Sequence, residues 1–434
     1  MRTRLSGVAV AAVAAWAALG AQDVEYKSTL PADHPAIASL EPSGDDPVSR
    51  LAARLARGET RLARRDGPLG YLPSLLTALD VAADSQMLVF SKTSVQAARV
   101  SPDQPRAIYF GDEVAVAHVP GAPAIELIAV DARRGPIFYA MADADPPTLT
   151  PTRSCLQCHH GPNTAGVPGL YVGSVVPGPS GAPLRDDTAI ITDHTSAFAD
   201  RWGGWYVTAR RGEQPDRANA VASNPADPSS LVREARPNLP SLIGLVDLRA
   251  YLAPTSDIVA LMVFEHQTQM INLITRVAWQ ARIAGPTSPA LATDLDDLVA
   301  YMLFTHEARL VEPIEGVSTF ARTFAARGRT DRRGRSLRDF DLTTRLFKYP
   351  LSYLVYTDAF DALPDLAKQY VYQRLFDVLT SDGTTDEFWQ LDAPTRRALF
   401  EILLDTKAGL PEAWKTHAHR PAPATTSSRN ATER

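Results

Sequence analysis

The only two cysteines of this 434-residue chain lie three positions apart and are followed at once by a histidine. Cys155, Cys158 and His159 form the pattern C-x-x-C-H. A single helical turn between the two cysteines places both thiols on the same side of the helix. It also directs the side chain of His159 toward the group that the thiols would bind. Two thiols with this spacing reach the two vinyl groups of one porphyrin, and the imidazole reaches its iron. The motif therefore predicts one covalently bound haem c.

A C-x-x-C pair has three other uses. A thiol–disulfide redox pair lies at a helix N-terminus after a strand, whereas a Pro-rich loop precedes this motif. A zinc site needs two more ligands, and the other histidines are scattered along the chain. A structural disulfide would close a very small loop. The haem interpretation is favoured because a histidine follows directly and because the N-terminus predicts export, which covalent haem attachment requires.

The five residues 155–159 resemble the attachment site of c-type cytochromes. This resemblance implies that Cys155 and Cys158 are the thioether anchors and that His159 is the proximal iron ligand. Other segments are similar to a group of uncharacterised secreted bacterial monohaem proteins. These segments are FSKTS (90–94), PRAIYF (105–110), TDHTSAF (192–198), RWGGWYVT (201–208), EHQTQM (265–270) and FKYPLSYLVY (347–356). They extend over most of the chain and imply haem binding without implying a reaction.

The chain departs from the pattern of a small class I cytochrome c. In those proteins the haem helix opens the domain, and a methionine ligand follows some tens of residues later. Here roughly 130 residues separate the predicted signal peptide from the motif, and no methionine lies between Met141 and Met262. A small-cytochrome architecture with a His/Met iron is therefore disfavoured.

Two histidines are candidates for the sixth iron ligand. His194 lies 35 residues after the proximal histidine, and the neighbouring Asp193 would orient its ring. His266 shares one face of a predicted helix with Met262 and Met270. The competing interpretations are a loop-capping histidine at 194 and an ordinary core stripe around 266. An open sixth site that holds water or a small ligand is the third alternative.

The N-terminus predicts a secretory signal peptide. Arg2 and Arg4 precede an uncharged stretch from Leu5 to Ala21 that is rich in Ala and Val and ends in small residues. An uncleaved anchor is the alternative, but seventeen weakly apolar residues are short for a membrane span. We therefore expect a periplasmic or secreted mature protein without a membrane span.

Composition excludes several classes of protein. A hydrophobic fraction of 45% with 21% charged residues is ordinary for a globular chain and excludes collagen-like, coiled-coil and disordered proteins. The 44 basic and 49 acidic residues give a net charge of −5 without a strongly basic half, so nucleic acid is not an expected partner. The expected partner is a redox protein, whose identity the sequence does not specify.

The apolar pattern predicts an α+β fold, with a β-rich first half carrying the haem motif and an all-helical second half. Short runs rich in Val, Ile, Tyr and Phe between Met87 and Met141 predict about five strands. The predicted regions are a signal peptide (1–21), an N-terminal lead and helix (22–85), a β-rich region with the haem site (86–211), a polar linker or excursion (212–240), a helical domain (241–414) and a disordered tail (415–434).

Electron transfer is the function that the motif favours, because a covalently held haem can cycle between two oxidation states. The alternative is a haem enzyme or a gas or redox sensor with an open sixth iron site, using peroxide or NO type chemistry. The length of the chain favours this alternative, since simple electron carriers rarely need so much protein. The sequence offers no recognisable distal acid–base pair, and it lacks phosphate-loop, zinc-protease and nucleophile-elbow motifs.

Overall fold

The computed structural model describes residues 27–39, 44–184, 189–224, 226–227, 230–233, 238–381, 383 and 386–418. The predicted signal peptide and residues 419–434 of the predicted tail lie outside the described residues. Residues 415–418 of that tail belong to a helix instead. Within the described residues, no helix is both long and apolar enough to cross a membrane.

The architecture is α+β, as predicted. The strands are β1 Met87–Val89, β2 Arg106–Phe110, β3 Val114–His118, β4 Ala124–Asp131, β5 Gly135–Ala142, β6 Leu149–Pro151, β7 Val172–Ser174, β8 Ile190–Thr192, β9 Trp205–Tyr206, β10 Ala220–Ala222 and β11 Leu231–Arg233. The helices are α1 Pro47–Ala56, α2 Leu72–Ala78, α3 Leu156–His159, α4 Ile258–Ala284, α5 Pro289–Met302, α6 Phe320–Ala326, α7 Asp358–Asp361, α8 Asp365–Thr380, α9 Ala393–Thr406 and α10 Glu412–Ala418.

One antiparallel sheet organises the first half of the chain. Its seven strands have the order β6-β5-β4-β3-β2-β1-β9, and β7–β8 and β10–β11 form separate two-stranded sheets. Side chains alternate between its two faces, as strand geometry requires. In β4, Leu127 and Ala129 face a core with α1 and α2, whereas Ile128 and Val130 face a core with α4.

The core on the α4 side joins the two halves of the protein. Phe110 of β2 packs against Phe264 of α4, with ring centroids 5.0 Å apart, and α4 is buried along most of its 27 residues. The predicted β-rich region and helical domain therefore share one core. Asp257 begins α4, because its Oδ1 accepts the Val259 N–H at 2.8 Å.

The segment 212–240, predicted as a polar linker or excursion, includes residues that pack onto the core. Its described residues include the β10–β11 hairpin, and Gln214, Asp216 and Asn219 are buried. The Asn219 amide accepts from the Val207 N–H and donates to the Val207 carbonyl. Buried polar side chains satisfied in this way allow a polar segment to pack onto the core, which composition alone does not reveal.

His118 of β3 should make the protein sensitive to acid. Its ring is buried, its Nε2 bonds the Pro68 carbonyl, and burial lowers its pKa to about 4. Between that value and its ordinary pKa of 6.5, the unfolded chain binds more protons than the folded one, so stability falls as pH falls. At 1.36 kcal/mol per pKa unit, we expect a loss of about 2–3 kcal/mol from pH 7 to 4.5.

Urea unfolding of the wild type and His118→Asn at both pH values would measure this contribution. The asparagine variant should lose about 2–3 kcal/mol less than the wild type on acidification. An identical loss in the two proteins would show that His118 is not responsible.

Candidate haem-binding site

The structure brings the three predicted attachment residues together on one helical turn. The backbone N–H groups of Cys158 and His159 both donate to the Cys155 carbonyl, at 3.2 and 2.9 Å. The two thiols are free rather than joined in a disulfide. Cys158 is exposed, and Cys155 is half-buried against the α4-side core. Cys158 is therefore open to solvent, whereas Cys155 is partly covered by the core.

The His159 ring is oriented for ligation by its Nε2 atom. Its Nδ1 lies 3.0 Å from the Gly169 carbonyl oxygen. A carbonyl can only accept, so Nδ1 carries the hydrogen. Burial lowers the pKa of His159, which keeps the ring neutral and leaves a lone pair on Nε2. Ligand histidines use this arrangement, in which the second ring nitrogen donates to a fixed acceptor. In the described part of the chain, nothing hydrogen-bonds to His159 Nε2.

Flat side chains flank the His159 ring. The rings of Phe138 and Tyr171 each lie 5.3 Å from it, centroid to centroid, in tilted orientations. Phe138 belongs to β5, and Tyr171 immediately precedes β7. The imidazole is therefore held between the large sheet and the small β7–β8 sheet.

The segment after the motif folds back onto it. The Gly169 N–H donates to the His159 carbonyl at 2.9 Å, and His160 Nε2 donates to the Leu30 carbonyl at 2.8 Å. The Leu30 N–H in turn donates to the Gly166 carbonyl at 2.8 Å. The segment around Leu30, close to the predicted cleavage site, is thus hydrogen-bonded to the loop that follows His159.

An ion pair beside the motif was not predicted from the sequence. Arg106 of β2 and Glu126 of β4 are joined at 2.9 Å, with side chains 22% and 18% exposed. Glu126 pairs directly with Ala117 on one side and Ala140 on the other. Phe138 lies two positions before Ala140 on the same face, so it is a diagonal neighbour of Glu126 at roughly 7–8 Å.

The charges of this ion pair act on the predicted iron ligand. Burial lowers the His159 pKa, and the Gly169 carbonyl raises it. The ion pair has two further effects on the His159 pKa, which Arg106 lowers and Glu126 raises. Both charges also act on the Cys155 thiol, whose pKa is raised first of all by burial. A sequence signal exists, because both charged residues occupy positions in the alternating strand pattern that face the core.

Both sixth-ligand candidates lie in one buried cluster. His194 Nδ1 and His266 Nδ1 are 2.8 Å apart, and the Ser352 hydroxyl lies 2.8 Å from His266 Nε2. Burial lowers the pKa of both rings well below the usual value. Tyr301 and Phe304 stack on the pair at centroid distances of 4.1 to 5.4 Å.

No hydrogen bond or ring contact joins this histidine pair to His159 within the described ranges. His194 Nε2 is buried without a hydrogen-bond partner there, whereas both ring nitrogens of His266 are engaged. Met262 and Met270 are buried, as the core interpretation of that stripe expects. The identity of the sixth ligand stays a prediction.

A buried ion pair adjoins the histidine pair. Arg201 Nη1 donates to Glu265 Oε2 at 3.0 Å, and the Thr192 hydroxyl donates to Glu265 Oε1 at 2.7 Å. Arg201 also donates to the His194 carbonyl at 3.0 Å. Thr192 of β8 pairs with Val172 of β7, which directly follows the Tyr171 ring beside the motif. The small β7–β8 sheet therefore lies between the cluster and the turn that carries the C-x-x-C-H motif.

No family model, curated protein or solved structure matches the chain. Among the residues that the structure describes, no group of three or more His, Cys, Asp or Glu side chains is placed to hold a metal ion. A haem iron would take its ring nitrogens from the porphyrin and its proximal ligand from His159 alone.

Proposed function

We propose that this chain is a periplasmic or secreted, monohaem c-type cytochrome-like protein that exchanges electrons with a redox partner protein. The observation that carries the proposal is the state of His159, whose Nδ1 is held by the Gly169 carbonyl and whose Nε2 is left free beside two unbonded thiols. Cys155 and Cys158 would anchor the haem, which supplies a one-electron couple when bound.

The exposure of the two thiols suits electron exchange with a partner. Cys158 is exposed, so a group attached to it has an edge at the protein surface. Cys155 is half-buried and packs against the core, so the same group is also fixed to the fold. A partner needs access only to the exposed edge.

The first test is an absorption spectrum of protein exported in a host that matures c-type haem. Spectra are taken oxidised, reduced, and reduced with CO. Covalently retained haem with a low-spin spectrum indifferent to CO would support electron transfer through a six-coordinate iron. Absence of covalent haem from a folded, exported sample would overturn the proposal and favour thiol–disulfide chemistry.

The Arg106–Glu126 ion pair should set part of the reduction potential. Replacing Arg106 by Met leaves the Glu126 carboxylate uncompensated, which stabilises the oxidised iron, so we expect a lower potential. Glu126→Gln should raise it. A tenfold change in the redox equilibrium corresponds to 59 mV for one electron, and we expect shifts of up to about that size. Spectroelectrochemical titration measures both variants.

Arg106→Lys is the matched control, since it keeps the charge and should shift the potential least. Shifts of the same sign in Arg106→Met and Glu126→Gln would contradict an electrostatic origin.

The same ion pair favours a second candidate function, a haem-dependent oxidoreductase or a gas or redox sensor. Arg106 Nε and Glu126 Oε1 are buried and lack hydrogen-bond partners among the described residues. A donor and an acceptor next to the iron site could serve peroxide or NO chemistry. A high-spin spectrum that shifts with CO, together with peroxide reduction that Glu126→Gln abolishes, would favour this candidate over electron transfer.

A further inference from the structure

We infer that Asn272 of α4 is a positioning residue for the iron ligand, because it fixes the peptide group whose carbonyl holds His159. This inference rests on the proposed function. It links the long central helix to the haem-binding turn through one side chain.

Asn272 forms two hydrogen bonds with the backbone next to the Gly169 carbonyl. Its Nδ2 donates to the Leu170 carbonyl at 2.8 Å, and its Oδ1 accepts the Leu170 N–H at 3.3 Å. The Asn272 side chain is buried. Two hydrogen bonds from one buried amide leave the Leu170 backbone little freedom to rotate.

The Leu170 N–H and the Gly169 carbonyl belong to the same planar peptide group. Asn272 Oδ1 therefore binds one end of this peptide, and His159 Nδ1 binds the other end. Hydrogen bonds at both ends of a peptide polarise it and strengthen each other. The Asn272 amide thus both orients the acceptor of the iron ligand and makes it a better acceptor.

The absence of a side chain at Gly169 allows the Asn272 amide to lie this close to the backbone of the loop. A Cβ atom there would lie 2.1 Å from Asn272 Oδ1 and 3.1 Å from Thr164 Cβ. A side chain at position 169 would therefore displace the Asn272 amide from its present position. Arg276, one turn further along α4, donates to the Ala165 carbonyl at 2.9 Å. The helix therefore holds the loop after the motif at both of its ends.

The expected consequence is an effect on the reduction potential. A strong hydrogen bond from Nδ1 raises the basicity of the ligating nitrogen and so favours oxidised iron. Without Asn272, the peptide can tilt and the bond from His159 weakens. The potential should therefore rise.

The test compares Asn272→Leu with the wild type, both loaded with haem. Leucine keeps the volume of the side chain and removes both hydrogen bonds. We expect covalent haem to remain and the redox equilibrium to shift about threefold, which is a rise of about 28 mV at 59 mV per tenfold. Asn272→Ala is the second variant, in case leucine does not fold.

Thr275→Ala is the matched control. Thr275 is buried on the same helix but faces Gly135 at the start of β5 instead of the loop. This variant should lose stability without moving the potential. An unchanged potential in haem-loaded Asn272→Leu, or an equal shift in Thr275→Ala, would overturn the inference alone. Absence of covalent haem from the wild type would overturn the proposed function as well.

Discussion

Replacing Cys155 and Cys158 together by alanine will abolish covalently retained haem. Each thioether needs one thiol, and the chain has no other cysteines. Each single variant should retain haem through one bond, with a vinyl signature in its pyridine haemochrome spectrum. Acid–acetone extraction followed by that assay measures the retained fraction. Ser154→Ala, an exposed neighbour of the motif, is the control and should retain haem fully.

This loss will not come from unfolding. Cys158 is exposed and Cys155 only half-buried, and surface substitutions usually change stability by less than about 0.5 kcal/mol. Circular dichroism of the double variant should therefore match that of wild type exported in a host that does not mature c-type haem. Covalent haem in the double variant would contradict the assignment of the anchors, because no other thiol exists to hold it.

Removing Arg201 should have the largest effect on stability. It pairs with Glu265 in the core, where the two side chains are only 3% and 0% exposed. Taking away one partner of a buried ion pair costs about 3–5 kcal/mol, because the other charge is left uncompensated. We expect Arg201→Met to lose this much in urea unfolding at pH 8.

The loss should depend on pH. Burial raises the pKa of Glu265 to about 7 even with Arg201 and Thr192 opposing it. Without Arg201 this pKa rises further, so the folded variant holds a proton that the unfolded chain releases. A group whose pKa is higher in the folded state than in the unfolded state stabilises the protein at low pH. This stabilisation is lost as the pH rises through the pKa of the folded state. Arg201→Met should therefore be closer to the wild type at pH 6 than at pH 8.

An exposed ion pair of the same kind provides the control. Arg210 and Glu315 are 3.1 Å apart but 67% and 64% exposed. Exposed pairs contribute at most about 1 kcal/mol, so Arg210→Met should change little at either pH. Equal losses in the two arginine variants would show that burial of the Arg201 pair does not determine its contribution.

The fold class was predictable because it depends on local patterns. Short runs rich in Val, Ile, Tyr and Phe between Met87 and Met141 mark β1 to β5, and helical spacing marks α4. The shared helical turn of Cys155, Cys158 and His159 was predictable for the same reason, since these residues are close together in the sequence. Such features need no knowledge of distant contacts.

The surroundings of the turn were not predictable, because they come from distant parts of the chain. The charges of Arg106 and Glu126 act on His159 because the register of β2 to β5 brings them near it. The contact of Asn272 with Leu170 spans 102 positions. No local pattern specifies such a contact.

The histidine cluster shows the same limit. His194 and His266 were each singled out as candidate ligands, but nothing in the sequence indicated that their Nδ1 atoms would lie 2.8 Å apart.

The 102-residue separation between Leu170 and Asn272 also bears on the order of assembly during the proposed export. A chain translocated from its N-terminus delivers the motif well before it delivers α4. Until α4 has been translocated, the loop after the motif lacks the hydrogen bonds from Asn272 to Leu170. The α4-side core, which half-covers Cys155, is also incomplete at that stage. Under the proposed export, both thiols would therefore be uncovered for the time needed to translocate about a hundred residues. If the chain is exported and binds haem as proposed, we expect attachment to occur in that interval, before α4 packs against the loop after the motif.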